Sequence, residues 1–121
     1  MLANTLEIVL REDGENYSIV SFWGNMDTFG LSEKRKEIMQ MVDDFKKEYL
    51  VFNFSELNFL NSESIGFLMQ INEKLMSENR KLVIVEAKKN VFDVLEVIGL
   101  LETLPYYKKM EDFLRSIQND H

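Results

Sequence analysis

The stretch FLNSESIG, residues 59–66, holds the side chains of this sequence that are best placed to do chemistry. One asparagine and two serines flank a glutamate, between a strand-like apolar run and a helix-like apolar pattern. In a purely structural interpretation, Asn61 or Ser62 caps the helix and Glu63 interacts favourably with the helix dipole. A serine at such a junction can also carry a phosphate, because a helix N-terminus stabilises an anion. The two interpretations are compatible, since one residue can do both.

Other chemistries have little support in the composition. The chain of 121 residues contains no cysteine, and its one histidine is the terminal His121. Thiol catalysis, thiolate metal sites and histidine general bases are therefore excluded. The 21 acidic residues show no pair with catalytic spacing, and neither a nucleophile elbow nor a glycine-rich phosphate loop is present. We expect no catalytic residue, no metal, no cofactor and no enzymatic activity.

The segment WGNMD, residues 23–27, is a second candidate site. Gly24 is placed to end a strand, and Asp27 can cap the backbone that enters the next helix. A structural turn is the favoured interpretation, and it is compatible with a position near a binding surface.

The net charge of −7 narrows the range of partners. Nucleic-acid backbones and anionic membranes would repel such a chain, so we expect neither as a partner. The first ten residues lack a basic segment and lead directly into a strand pattern, which does not fit a signal peptide. These features favour a cytoplasmic protein, and the acidic surface suits either a basic protein partner or, as is commoner, solubility alone.

Hydrophobic periodicity predicts the element order β-β-α-β-α-β-α-β-α. The turn signal Asp13-Gly14 predicts that the first two strands form a hairpin. Asn90 is a candidate cap for the third helix and Gly99 a candidate stop. The predicted strands are 5–10, 17–24, 49–54, 81–87 and 102–107. The first predicted helix begins near Leu31, and the other three cover 62–79, 90–99 and 109–117.

Helices that alternate with buried strands imply parallel β-α-β crossovers. We therefore predict a single α/β domain over residues 1–121, with a mixed sheet, an antiparallel opening hairpin and about four helices. Phe67 and Ile71 lie beside the apolar stripe of the second helix, and they are either surface or core. One core is predicted around Phe22, Phe52, Phe54, Val83 and Val85, and the stripe of the second helix is predicted to contain Ile65, Leu68, Met69, Leu75 and Met76.

Three motifs in this order make the chain resemble the STAS domain of bacterial anti-sigma factor antagonists. The resemblance covers essentially the whole chain. The motifs are the turn with Gly24, Met26 and Asp27, the segment Leu60–Gly66, and the pair Gly99-Leu100. Three positions differ from the family pattern: Asn61 replaces an aspartate, Glu63 a small residue and Ser64 a glycine.

The resemblance implies reversible docking onto an anti-sigma factor, usually a serine kinase, with release of a sigma factor. It also implies that phosphorylation of Ser62 abolishes docking and that a phosphatase restores it. The chain is then expected to act as a monomer. The implied partner-binding residues are Asp27, Asn61, Ser62, Glu63, Ser64 and Gly66.

Two alternatives remain beside the antagonist. One is a STAS-like scaffold or sensor without a serine switch, which Asn61 and Glu63 favour and the intact Ser62 does not. The other is an enzyme, which would require that Asp27, Asn61 and Ser62 line a deep pocket.

Overall fold

The computed structural model describes residues 5–118, and it confirms the predicted order of strands and helices. The predicted domain extends beyond this range, and His121 lies outside the described residues. The elements are β1 (Leu6–Asp13), β2 (Tyr17–Met26), α1 (Thr28–Asp44), β3 (Tyr49–Leu60), α2 (Ser62–Ser77), β4 (Lys81–Val85), α3 (Lys89–Val97), a 3-10 turn (Leu100–Glu102), β5 (Tyr106–Tyr107) and α4 (Met110–Gln118).

The strands form one mixed sheet in the order β1-β2-β3-β4-β5. The first two strands pair antiparallel, and the Gly14 N–H donates to the Tyr17 carbonyl at 2.8 Å within their turn. All later neighbours are parallel. This is the predicted mixed sheet, and it brings the carboxyl ends of β2 to β5 to one edge, where ligands and partners of such sheets commonly bind.

Strand β3 is longer than predicted, because it continues past Phe54 to Leu60. The ten residues of β2 run beside the twelve of β3, and the register shifts between Ser21 and Trp23 and again between Gly24 and Asn25. These irregularities behave as β-bulges, in which extra residues enter one strand. The polar residues of this stretch hid the strand from the sequence pattern.

The core consists of two clusters rather than the single core that was predicted. Phe22, Phe52 and Phe54 belong to the larger cluster, which packs under α1, α2 and α3. Val83 and Val85 belong to the smaller cluster, which packs against α4 on the other face. The physical reason is strand alternation, since successive side chains of β4 point to opposite faces of the sheet.

Several element ends also differ from the predictions. Helix α1 begins at Thr28, three residues before Leu31. Asn90 does not cap α3, whose cap position is Lys88; the Asn90 side chain donates instead to the Asn58 carbonyl at 2.8 Å. Gly99 does end α3, and its left-handed backbone (φ 82°) fits a glycine. Within residues 5–118, no helix is long and apolar enough to cross a membrane.

Candidate functional site

The two candidate motifs lie side by side at the carboxyl edge of the sheet. Strands β2 and β3 are parallel neighbours, and their last residues, Met26 and Leu60, are paired. The next residue in each case, Asp27 or Asn61, is the N-cap of the following helix. The fold therefore places the starts of α1 and α2 next to each other, although 34 residues separate them in the sequence.

At the start of α2, Asn61 and Ser64 form a reciprocal capping box. The Asn61 Oδ1 accepts from the Ser64 N–H at 3.0 Å, and the Ser64 Oγ accepts from the Asn61 N–H at 2.8 Å. The Ser64 hydroxyl donates in turn to the Asn61 carbonyl at 2.7 Å. Ser64 is fully buried, and its hydroxyl holds the helix start. Asn61, half-buried, is the cap, one of the two residues between which the sequence left the choice open.

The outward face of α2 begins at Ser62 and Gly66, both exposed. The Ser62 hydroxyl forms no hydrogen bond within residues 5–118. A Cβ added at Gly66 would meet no atom within 4 Å. Helical spacing continues this face to Met69, which is 45 % exposed. A partner can therefore approach the backbone of α2 closely at its first turns.

At the start of α1, Asp27 forms the equivalent cap. Its Oδ1 accepts from the Gly30 N–H at 2.8 Å. Gly30 is buried, and a Cβ at this position would lie 2.4 Å from the Asn25 carbonyl oxygen. The carboxylate of Asp27 is thus held in place by the helix that it caps.

The two helix starts also contact each other through side chains. The Thr28 Oγ1 donates to the Glu63 Oε1 at 3.5 Å, and both side chains are exposed. Phe29, the next residue of α1, is 53 % exposed. We call the exposed residues Thr28, Phe29, Ser62, Glu63 and Gly66 the junction surface.

The fold brings all six predicted partner-binding residues into one region. Ser62, Glu63 and Gly66 lie on the junction surface, whereas Asp27 and Asn61 support it as half-buried caps and Ser64 lies beneath it. Their contacts with a partner remain predictions. Thr28 and Phe29 were missed, although their position directly after the Asp27 cap was a usable signal.

Of the two alternatives left open for Phe67 and Ile71, surface or core, the structure shows the core. Phe67 is 3 % exposed and Ile71 is fully buried. The Arg35 guanidinium covers the Phe67 ring, 4.5 Å from its centroid. Met69 and Met76 were instead predicted on the buried stripe but are exposed. The buried face of α2 is therefore rotated relative to the predicted one.

Metal and pocket chemistry gain no support near the junction surface. In the described part of the chain, no cluster of three histidine or acidic side chains could hold a metal ion. A cavity of about 220 Å³ adjoins Phe29, but Asp27, Asn61 and Ser62 do not line it. This cavity is therefore not the deep pocket, lined by those three residues, that an enzyme would require.

The element order, the mixed sheet and the paired helix starts define a class of α/β domains that open with an antiparallel hairpin. Within this class, the sequence model of the STAS domain matches residues 7–113. The chain therefore belongs to the STAS domain family, as its motifs indicated.

Solved structures agree with this assignment. An anti-sigma factor antagonist from Mycobacterium paratuberculosis is 26% identical, with a TM-score of 0.80 over 93% of this chain and 94% of that one. The Bacillus cell fate determinant SpoIIAA, in its phosphorylated form, is 14% identical, with a TM-score of 0.68 over 92% and 99%. Unphosphorylated SpoIIAA is 13% identical, with a TM-score of 0.67 over 93% and 98%. The two SpoIIAA structures show the shared fold.

Proposed function

We propose that this protein is an anti-sigma factor antagonist, which docks onto an anti-sigma factor with serine kinase activity and so releases a sigma factor. Phosphorylation of Ser62 abolishes docking, and a phosphatase restores it. One observation carries the proposal: the exposed Ser62 hydroxyl begins α2 beside the Asp27 junction. The similarity to an anti-sigma factor antagonist over most of both chains supports it.

The shape of the junction surface suits docking. Ser62 and Gly66 leave the start of α2 nearly bare of side chains, while Phe29 and Met69 provide exposed apolar groups beside it. Exposed aromatic and methionine side chains are enriched where proteins bind each other. A partner surface can thus lie flat on the first turns of α2 and bury apolar groups at the margins.

A phosphate on Ser62 would change this surface in two ways. It adds bulk and nearly two negative charges, which a docked partner would have to desolvate. It also stands beside Glu63, while the Ser64 N–H is already occupied by the Asn61 side chain. The remaining N–H groups of the first turn stabilise the phosphorylated free protein. The desolvation that docking requires therefore favours dissociation.

A second candidate function is a STAS scaffold or sensor without the serine switch. Glu63 favours it, because a permanent carboxylate next to Ser62 already resembles part of the charge that phosphorylation adds. An antagonist with Glu63 needs a partner with a basic residue opposite this position. Charge reversal of that partner residue would separate the two functions.

The primary experiment incubates the protein with the candidate anti-sigma kinases of its own organism and Mg-ATP. Mass spectrometry then locates any modification. We expect phosphate on Ser62, its loss in Ser62→Ala, and full retention in Ser77→Ala, which removes an exposed serine at the opposite end of α2. Binding without modification would leave the scaffold function, and neither binding nor modification across all candidates would refute the antagonist.

An affinity measurement tests the switch directly. The variant Ser62→Asp should weaken the kinase complex about tenfold, since a charge is buried without a partner. The matched control Ser77→Asp adds the same charge at the far end of α2 and should leave affinity unchanged. Equal affinities of Ser62→Asp and the parent protein would place Ser62 outside the interface.

The remaining expectations follow from this function. We infer that residues 1–121 act as one domain and as a monomer, in the cytoplasm where sigma factors work, with protein partners rather than nucleic acid or membranes. Light scattering on the free protein checks the monomer, for which a concentration-independent mass is expected.

A further inference from the structure

A cavity of about 480 Å³ lies at the carboxyl ends of β4 and β5, on the same sheet edge as the junction surface but across other strands. Its volume is in the range of small-molecule sites, which typically hold about 300–1,000 Å³. The residues that line it are Ala87, Lys89, Phe92, Tyr106 and Lys108.

One wall of the cavity is apolar and aromatic. The rings of Phe92 and Tyr106 pack against each other, with centroids 5.0 Å apart and an interplanar angle of 52°. Ala87 adds a methyl group. Such a wall suits a flat apolar body, since aromatic rings bind other rings through stacked or edge contacts.

The cavity mouth is basic, in a chain whose net charge is −7. One pair of adjacent lysines, Lys88-Lys89, follows β4, and a second pair, Lys108-Lys109, follows β5. The two strands are paired in parallel through Val85 and Tyr107, so the lysine pairs leave the sheet side by side. One lysine of each pair, Lys89 and Lys108, lines the cavity, whereas the Lys88 ammonium contacts the Asn58 side chain.

The two lysines that line the cavity are available to a ligand. Lys108 forms no ion pair in the range 5–118. Lys89 contacts Asp93 at 3.2 Å, but its side chain is 87% exposed. An exposed pair of this kind contributes little to stability, and a ligand can replace it.

The Tyr106 hydroxyl adds a directed hydrogen-bond donor. Its oxygen accepts from the Ala87 N–H at 3.1 Å, and its own proton has no acceptor among residues 5–118. Burial raises the pKa of Tyr106, the hydrogen bond from Ala87 opposes this, and the charge of Glu86 raises it further. The hydroxyl therefore stays protonated at neutral pH and can donate to a ligand.

We propose that this cavity binds a small organic acid with an apolar ring-sized body and one carboxylate. The body packs against Phe92 and Ala87. The carboxylate faces Lys108 and Lys89 and accepts a hydrogen bond from the Tyr106 hydroxyl. Two cations and one hydroxyl donor match the acceptor oxygens of a carboxylate, and the bonds from the cations are charge-assisted. This function does not depend on the junction surface or on Ser62.

The experiment compares two probes of equal shape, 2-naphthoate and the neutral 2-naphthamide, in ¹⁵N NMR titrations of the whole chain. We expect 2-naphthoate to shift the backbone N–H signals of Ala87 and Lys108. It should bind about tenfold more tightly than 2-naphthamide, because the neutral probe cannot form charge-assisted bonds with the lysines. Equal affinity for the two probes would overturn the proposal. So would shifts confined to the exposed Val97 and Ile98, or no saturable binding.

Variants separate charge from shape. Lys108→Gln should weaken 2-naphthoate severalfold and leave 2-naphthamide unchanged, whereas Phe92→Leu should weaken both. Lys36→Gln removes an exposed lysine of α1 that does not line the cavity, and it should change neither affinity. If Lys36→Gln weakened 2-naphthoate as much as Lys108→Gln does, the attraction would come from overall charge and the site would be refuted.

Discussion

The β2–α1 and β3–α2 junctions both cap the helix that follows, but they do so with different side chains. Both caps have nearly the same extended backbone, with φ and ψ of −119° and −173° at Asp27 and −122° and −176° at Asn61. In each, a side-chain oxygen accepts from the N–H three residues later. At that third position α1 has Gly30, which lies too close to the Asn25 carbonyl for a side chain, and α2 has Ser64, whose hydroxyl is buried.

The position of the negative charge also differs. At the first junction the carboxylate lies inside the cap, on Asp27. At the second the cap is the neutral Asn61, and the carboxylate lies two residues later on the exposed Glu63. The cap of α2 therefore holds the helix without using the charged group, which faces outward.

The largest expected effect comes from the two glycines. Gly30→Ala should destabilise the protein by about 3 kcal/mol, because the new Cβ would overlap the Asn25 carbonyl. Gly66→Ala should instead stabilise it by about 0.5–1 kcal/mol, because alanine favours a helix and the space is open. Urea unfolding measures both. Similar losses would show that the two helix starts are equally constrained.

The two serines of α2 provide the next contrast. Ser64→Ala removes the hydroxyl half of the capping box but keeps the backbone N–H that donates to Asn61, and it should cost about 1–2 kcal/mol of unfolding free energy. Ser62→Ala should change it by less than about 0.5 kcal/mol, as is usual for exposed side chains. Thermal and urea unfolding check this order, and a reversed order would assign the structural role to Ser62.

Exchanging the two cap chemistries should produce a smaller effect. Asp27→Asn keeps the hydrogen bond but loses the charge at the start of α1, which has no other acid in its first turn, and should cost about 0.5–1 kcal/mol. Asn61→Asp should gain less, since Glu63 already supplies a carboxylate to α2. The difference should shrink in high salt. If salt had no influence, the helix dipole would not explain the contrast.

The smallest expected effect is the interaction energy between the two junctions. A double-mutant cycle of Thr28→Val and Glu63→Gln should give an interaction below about 0.5 kcal/mol, because the 3.5 Å contact is exposed. A coupling above about 1 kcal/mol would show that the junctions act as one cooperative unit.

Much of the fold was predictable because its signals are local. The apolar runs of β3 and β4, the turn at Asp13-Gly14 and the cap at Asn61 each depend on neighbouring residues. The predictions that failed concern features that depend on tertiary contacts. The face of Val83 and Val85 is decided by where α4 packs, and the burial of Phe67 rather than Met69 by the rotation of α2 against the sheet.

The candidate site divides in the same way. The motif residues could be found from the sequence, since caps leave clear patterns at the ends of strands. That Ser64 is buried while Ser62 is exposed was not predicted, although helical spacing places Ser64 on the same face as Leu68, four residues later. Thr28 and Phe29 were also missed, although they follow the Asp27 cap directly.

The irregular pairing of β2 with β3 determines how the starts of α1 and α2 are aligned at the junction surface. The surplus residues of β3 are absorbed before the strands end, so that Met26 and Leu60 come level and the two helices start at the same height. Deleting one of the surplus residues would shift Asn61 along the sheet edge and turn α2 about its axis, with every residue of the junction surface still present. The shape of the junction surface is therefore set in a strand segment that lies outside it.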